Sequence, residues 1–351
     1  MNRHIEQGFT LIELMISIIL ALLISAAALA LFFDSSRNLR IQESADDVQE
    51  ASVFGLAQIE SKIAMANLGS YRPMKQNTPW TGILFTGYDG TDAAGRFLGN
   101  IPGNENNTKL TVDVLTASGD RLPASLGQAN VTGASTRSDQ LIIQYQAPFD
   151  MLTCTGDTVS KGDMVIERYF TRKDTAAAIA SNEAKDSDNL SIVLACASGS
   201  YGLENGSATT KLNDNGSGKT ISDAKLGINK AICYQGASGC SGNAKDTVMI
   251  NRVDYFGVRL GVLRDNGIEY MKISDYMEKL KGGYKVDAPV VAVKIAVITR
   301  GLNSAGTETL NEFTVFGDDK LTIENTDNDY VRRAYEKTIK LPNNMATESV
   351  W

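Results

Sequence analysis

The chain has 351 residues and a formal net charge of −7, from 34 lysines and arginines against 41 aspartates and glutamates. This length is enough for one large or two smaller folded units, and the acidic balance disfavours direct binding to nucleic acid. Its one histidine is His4, which excludes clusters of histidine ligands around a metal.

The first element is an apolar run from Phe9 to Phe33 in which Glu13 is the one ionisable residue. Its 25 residues would form a helix of about 37 Å, long enough to cross a hydrocarbon core of about 30 Å. Arg3 and the amino terminus precede the run, so the positive-inside rule places the N-terminus in the cytoplasm and the remaining chain across the membrane.

Two other interpretations of this run leave Glu13 without a purpose. The small residues from Ala26 to Ala30 could end a cleavable secretory signal, although its apolar region would be unusually long. A plain membrane anchor would explain the length. A carboxylate in a membrane span costs about 2.5 to 3.5 kcal/mol at the bilayer centre, so its presence indicates a functional role.

The helix is predicted to continue beyond the membrane, because no proline occurs between Met1 and Arg72. Apolar and small residues then recur at spacings of three and four, typical of an amphipathic helix, at Ile41, Ala45, Val48, Ser52, Leu56, Ile59, Ile63 and Ala66. We expect the helix to end near Leu68–Gly69, with Gly69 as the C-cap. The charged residues of the opposite face are either solvated or a lateral contact.

After Tyr71 the composition changes to short β-rich runs separated by Gly, Asn, Ser and Thr. The predicted strands are Lys109–Thr116, Gln140–Gln146, Met164–Thr171, Leu190–Ala197, Thr247–Leu260, Pro289–Thr299, Glu312–Phe316 and Ala334–Leu341. The nearly continuous apolar segment Val290–Ile298 indicates a central strand covered by the helix. We therefore predict an α+β fold, a long N-terminal helix packed on a large β-rich head of one or two sheet units. Gly99–Asn107 and Glu204–Lys219 are predicted to be surface loops.

Four cysteines suit an exported, oxidising location and allow three pairings into two disulfides. The turn-forming insert between Cys233 and Cys240 favours a small closed loop, which leaves Cys154 to pair with Cys196. The spacings differ from the short paired ones of zinc sites. Calcium is a weak alternative at Asp186–Asn189 and at Glu324 with Asp327–Asp329, since neither segment has the twelve-residue loop pattern. No metal or cofactor is predicted.

The segment Gly8-Phe9-Thr10-Leu11-Ile12-Glu13 resembles the class III signal of type IV pilins and type II secretion pseudopilins. The resemblance implies that a prepilin peptidase cleaves between Gly8 and Phe9, that Phe9 becomes N-methylated, and that Glu13 docks the subunit against the terminal amine of its neighbour. It divides the chain into a leader (1–8), a transmembrane half-helix (9–33), an amphipathic half-helix (34–69) and a periplasmic head (70–351). Removal of the leader would leave no histidine, and no carboxylate pair stands out, so we predict no enzyme activity.

The large head and four later segments resemble minor pilins of the PilW kind. Those segments are Arg137–Tyr145, Asn251–Val258, Val290–Arg300 and Arg332–Leu341. The resemblance implies a subunit that starts as an inner-membrane protein of a Gram-negative bacterium and joins other minor pilins, the major pilin and a tip adhesin. It would initiate pilus assembly at the filament tip and support twitching motility, adhesion and DNA uptake. The alternatives are a minor pseudopilin of the J type in type II secretion and a tip module that binds a ligand itself.

Overall fold

The computed structural model describes residues 10–69, 82–84, 116–174, 191–204, 207–209, 246–281, 289–304, 310–324 and 329–343. The helices are α1 (Leu11–Ile63) and α2 (Ile273–Lys281). The strands are β1 (Val131–Gly133), β2 (Leu141–Gln146), β3 (Met151–Leu152), β4 (Thr158–Val159), β5 (Met164–Lys173), β6 (Ile192–Glu204), β7 (Ser207–Thr209), β8 (Thr247–Ile250), β9 (Val253–Arg264), β10 (Gly267–Lys272), β11 (Val290–Ser304), β12 (Glu312–Val315), β13 (Asp319–Ile323) and β14 (Tyr330–Lys340). The predicted α+β fold with a long N-terminal helix is confirmed.

Helix α1 runs unbroken for 53 residues, in keeping with the lack of proline, but it ends at Ile63 rather than near Leu68–Gly69. The chain leaves the helix because its backbone begins to pair with β2. The Asn67 N–H donates to the carbonyl of Gln144 at 3.0 Å, and the Gln146 N–H donates to the carbonyl of Leu68 at 2.8 Å. Gly69 adopts the positive φ expected of a capping glycine, after residues 64–69 have continued as turns.

An antiparallel four-stranded sheet, in the order β10-β9-β11-β14, lies against α1. Side chains of β11 alternate between two cores: Val293, Ile295 and Val297 join the core cluster that contains α1 residues, whereas Ala296 and Ile298 join another. That second cluster includes residues of the three-stranded sheet β1-β13-β12. Burial on both faces explains the continuous apolar run and confirms a central strand covered by the helix.

A five-stranded sheet contains β2-β5-β6-β7, with β8 paired to β6. One apolar cluster joins this sheet, through Ile143 and Tyr145, to the four-stranded sheet, through Phe256 and Val258, and to Ile59 of α1. In the described head, the four-stranded and five-stranded sheets therefore share one core, and the three-stranded sheet packs in the second cluster.

Most predicted strands are present, with shifted ends. Thr247–Leu260 forms two strands, because Arg252 turns the chain with φ +53° and sends β8 to one sheet and β9 to the other. Leu190–Ala197 and Ala334–Leu341 correspond to longer strands, β6 and β14. Lys109–Leu115, Gly99–Asn107 and most of Glu204–Lys219 lie outside the described residues.

Candidate functional site: the N-terminal helix and its attachment to the head

The first turn of α1 is closed by a capping box between Thr10 and Glu13. The Glu13 N–H donates to Thr10 Oγ1 at 3.3 Å, and the Thr10 N–H donates to Glu13 Oε2 at 3.3 Å. The Thr10 hydroxyl also lies 3.2 Å from the same carboxylate oxygen. Glu13 thus satisfies a backbone donor that the helix leaves open. Gly8 and Phe9 lie outside the described residues.

Every side chain from Leu11 to Phe33 is exposed, although all except Glu13 and a few small polar residues are apolar. The head covers none of this surface. A helix of this length and composition is a candidate membrane span. The exposed apolar half is therefore the part of α1 that lipid or neighbouring apolar helices would cover.

The second half of α1 has two distinct faces. Val48, Leu56, Ile59 and Ile63 are buried against the head. On the opposite face, Leu39, Val53 and Phe54 are exposed, together with acidic residues at Glu43, Asp46, Asp47 and Glu50. The amphipathic pattern thus identified the face that meets the head, and the outer face remains open to solvent or to a neighbour.

Two glycines allow α1 to approach the strands closely. A Cβ atom at Gly301 on β11 would lie 2.7 Å from Ser44 Cβ and 3.0 Å from the Ser44 carbonyl oxygen. A Cβ atom at Gly55 would lie 2.4 Å from Ile250 Cγ1 and 2.9 Å from the Met249 carbonyl oxygen. Both approaches are closer than real Cβ contacts, so these positions accept no side chain without movement of the helix or the strand.

We expect Gly301→Val to lower the free energy of unfolding of the head by about 1 to 3 kcal/mol, because the added methyl groups must displace α1 from β11. Urea denaturation of the full chain in detergent micelles, followed by near-ultraviolet circular dichroism, measures the loss. Thr338→Val is the matched control, since it adds valine to an exposed position of the same sheet. Equal midpoints for the two variants would contradict the close approach of Gly301 to Ser44.

A buried carboxylate lies where the end of α1 meets the five-stranded sheet. Glu167 on β5 is fully buried, and its oxygens accept hydrogen bonds from Tyr145 Oη at 3.1 Å, Tyr169 Oη at 2.8 Å and the Cys154 N–H at 2.8 Å. Burial, reinforced by the Glu167 charge, raises the pKa of Tyr145 and of Tyr169, so both hydroxyls stay protonated and donate.

Lys62 brings a positive charge from α1 to this carboxylate. Its Nζ lies 3.6 Å from Glu167 Oε1 and donates to the carbonyl of Leu152, on β3, at 2.7 Å. The Lys62 side chain is only 17% exposed. The last turn of the helix is therefore tied to two different strands of the head.

Cys154 and Cys196 form a disulfide across 42 residues of sequence, the pairing expected for them. Cys233 and Cys240 lie outside the described residues. The sulfurs of Cys154 and Cys196 lie near a Glu167 oxygen, but disulfide sulfurs lack the thiolate form that binds metals. Of the calcium candidates, only Glu324 and Asp329 lie in the part of the chain that the structure describes.

A surface cleft of about 510 Å³ lies between β10 and the turn that joins β12 to β13. Its cations pair with carboxylates: Lys272 lies 3.5 Å from Asp319, and Lys294 lies 3.0 Å from Glu336. Arg259 pairs with Asp319 and stacks 4.4 Å from the centre of the Phe316 ring. These contacts stabilise the turn and present no arrangement of an activated nucleophile with a base.

An exposed apolar helix that is capped at its N-terminus and continues into a β-rich head is the architecture expected of a membrane-anchored pilin. Two family-model matches support a type IV pilin of the PilW kind. The family model described as Type IV Pilus-assembly protein W matches residues 220–343, about a third of the chain. The model for the prokaryotic N-terminal methylation motif matches residues 3–29.

No curated protein gave a match. Among solved structures, the chain is similar to the type IV-like pilin TTHA1219 from Thermus thermophilus, with 12% identity and a TM-score of 0.26. That similarity covers 63% of this chain and 89% of the other. It is too distant to add to the assignment, which rests on the two family matches.

The two family matches support a role in the type IV pilus. The methylation motif indicates processing by a prepilin peptidase and assembly with pilus components. The PilW match points to a structural rather than a catalytic protein, in line with the expectation from the sequence.

Proposed function

We propose that the protein is a minor pilin that helps to initiate pilus assembly within a tip complex of minor pilins. The observation that carries the proposal is the PilW match in the head combined with the methylation motif at the N-terminus. A head of about 280 residues is large for a subunit that repeats throughout a thin helical filament, whereas at an end only one side needs a neighbour.

The proposed path begins in the inner membrane, with α1 spanning the bilayer and the head in the periplasm. Prepilin peptidase cleaves between Gly8 and Phe9, and Phe9 is methylated. Glu13 then assists docking, because a carboxylate in an apolar environment is stabilised by a cation such as the terminal amine of a neighbour. The partners are other minor pilins, the major pilin and a tip adhesin, and the resulting pilus serves twitching motility, adhesion and DNA uptake.

Deletion of the gene should sharply reduce surface pili and twitching, while the major pilin still accumulates in the membrane. Quantitative mass spectrometry of sheared pili should find this subunit in far fewer copies than the major pilin, because a tip position is occupied once per filament. Abundance near that of the major pilin would refute the tip-initiator role.

Gly8→Val tests the processing step separately, because it places a side chain at the cleavage junction. The variant should keep the mass of the uncleaved precursor and remain in the membrane fraction. Cleavage after Ala28 or Ala30 in the unmodified chain would instead indicate an ordinary secretory signal.

Normal piliation of the deletion strain together with a defect in protein secretion would favour the type II pseudopilin alternative.

A further inference from the structure

We propose that the Cys154–Cys196 disulfide controls the attachment of α1 to the head, through a clasp formed by Lys62, Glu167 and the β3–β4 hairpin. The clasp concerns the junction of helix and head, so the inference stands apart from any role at a filament tip. The helix would be fixed to the head once the head is oxidised, and would be loosened at its last turns when the disulfide is reduced.

The hairpin is too small to hold its position alone. Strands β3 and β4 pair only Met151 with Val159 and Leu152 with Thr158, and isolated two-stranded hairpins are marginally stable even when longer. The disulfide anchors Cys154, in the loop of this hairpin, to Cys196 on the central strand β6. A hydrogen bond from Ser198 Oγ to Thr153 Oγ1 at 2.8 Å supports the same junction.

The anchored hairpin supplies contacts to both charged members of the clasp. The carbonyl of Leu152 accepts from Lys62 Nζ at 2.7 Å, and the Cys154 N–H donates to Glu167 Oε1 at 2.8 Å. That carboxylate oxygen is the one nearest Lys62 Nζ, at 3.6 Å. A movement of the hairpin would therefore remove one acceptor from Lys62 and one donor from Glu167 together.

The chemistry is a two-electron exchange between a dithiol and a disulfide. When the bond forms, the thiols of Cys154 and Cys196 lose two protons and two electrons. A disulfide-bearing oxidoreductase in the compartment that contains the head accepts them, and its own disulfide is reduced to two thiols. In the reverse direction, dithiothreitol breaks the S–S bond and becomes a cyclic disulfide. Reduction leaves Cys154 free to move away from β6, and the constraint on the hairpin is lost.

Hydrogen–deuterium exchange of the full chain in detergent micelles tests the clasp, with dithiothreitol as the reductant. Reduction should accelerate exchange about tenfold in residues 57–66 and in residues 151–159, because hydrogen bonds to charged groups are lost there. Exchange in β9 and β11 should not change. A reduced protein whose residues 57–66 exchange as slowly as before would overturn the proposal, and so would equal acceleration throughout the head.

Lys62→Met supplies the second readout, because it removes the helix side of the clasp and leaves both cysteines in place. Its residues 57–66 should exchange rapidly in the oxidised protein, and reduction should then add less than a further twofold change. The matched control is Lys340→Met, which removes a lysine from an exposed position of β14 and should retain the full response to reduction. A full response in Lys62→Met, or its loss in Lys340→Met, would contradict the clasp.

Discussion

Asp254→Ala is expected to lower the free energy of unfolding of the head by about 3 to 5 kcal/mol, because it removes the buried carboxylate with which Arg300 and Arg332 pair. The Asp254 side chain is fully buried, and Arg332 Nε donates to its Oδ2 at 2.8 Å. Arg300 Nε forms an ion pair with Oδ1 at 3.9 Å, and Asn130 Nδ2 donates a hydrogen bond to the same oxygen at 3.0 Å. One carboxylate therefore joins β9, β11, β14 and the segment before β1.

Urea denaturation of the full chain in detergent micelles gives the size of this effect. Asp318→Ala is the matched control, because it removes an exposed carboxylate and should change stability by less than about 0.5 kcal/mol. A combined replacement of Asp254 by leucine and of Arg300 and Arg332 by methionine should recover much of the loss, since it removes the charges together. A loss below about 1 kcal/mol in Asp254→Ala would show that the arginines find other partners.

The elements that sequence periodicity identified are those whose pattern is local. The apolar run of β11 and the amphipathic spacing of α1 each reflect which faces are covered, and the structure confirms both. The end of α1 was predicted too late because Asn67 and Leu68, just after the helix, pair with β2, which lies far along the chain. A helical pattern carries no information about such a distant competitor for backbone hydrogen bonds.

The charged clusters depend on contacts between distant strands. Asp254 and Arg332 both lie in segments that resemble the PilW family, yet their ion pair is visible only when β9 and β14 flank β11. Glu167 likewise gave no signal in the sequence, because its partners other than Tyr169 lie on α1, β2 and the β3–β4 hairpin. By contrast, the capping box was available from the sequence: Thr10 followed three residues later by Glu13, ahead of an apolar run, is its usual signature.

The capping box gives Glu13 two separable roles. Within the subunit, its carboxylate closes the first turn of α1. The assembly role proposed for it requires a negative charge that can meet a cation of a neighbouring subunit. A substitution that removes both roles, such as Glu13→Ala, cannot distinguish them, whereas substitutions that remove one role at a time can.

Glu13→Gln should retain membrane insertion and helix capping but strongly reduce incorporation into pili. Glutamine at this position can still accept the Thr10 N–H, as in other capping boxes, but it carries no charge to offset that of a terminal amine. The measurement is the amount of this subunit in sheared pili relative to the membrane fraction. Incorporation equal to that of the unmodified protein would show that the charge of Glu13 has no part in docking.

Thr10→Val is the complementary variant, because it removes the hydroxyl that accepts the Glu13 N–H and leaves the carboxylate in place. Loss of a cap costs about 0.5 to 2 kcal/mol of helix stability, so exchange of the first-turn amides should accelerate in detergent micelles. Incorporation into pili should remain close to normal, since the carboxylate loses only its contact with the Thr10 hydroxyl and remains charged. If Thr10→Val abolished incorporation while Glu13→Gln did not, the capped first turn rather than the charge would be what assembly requires.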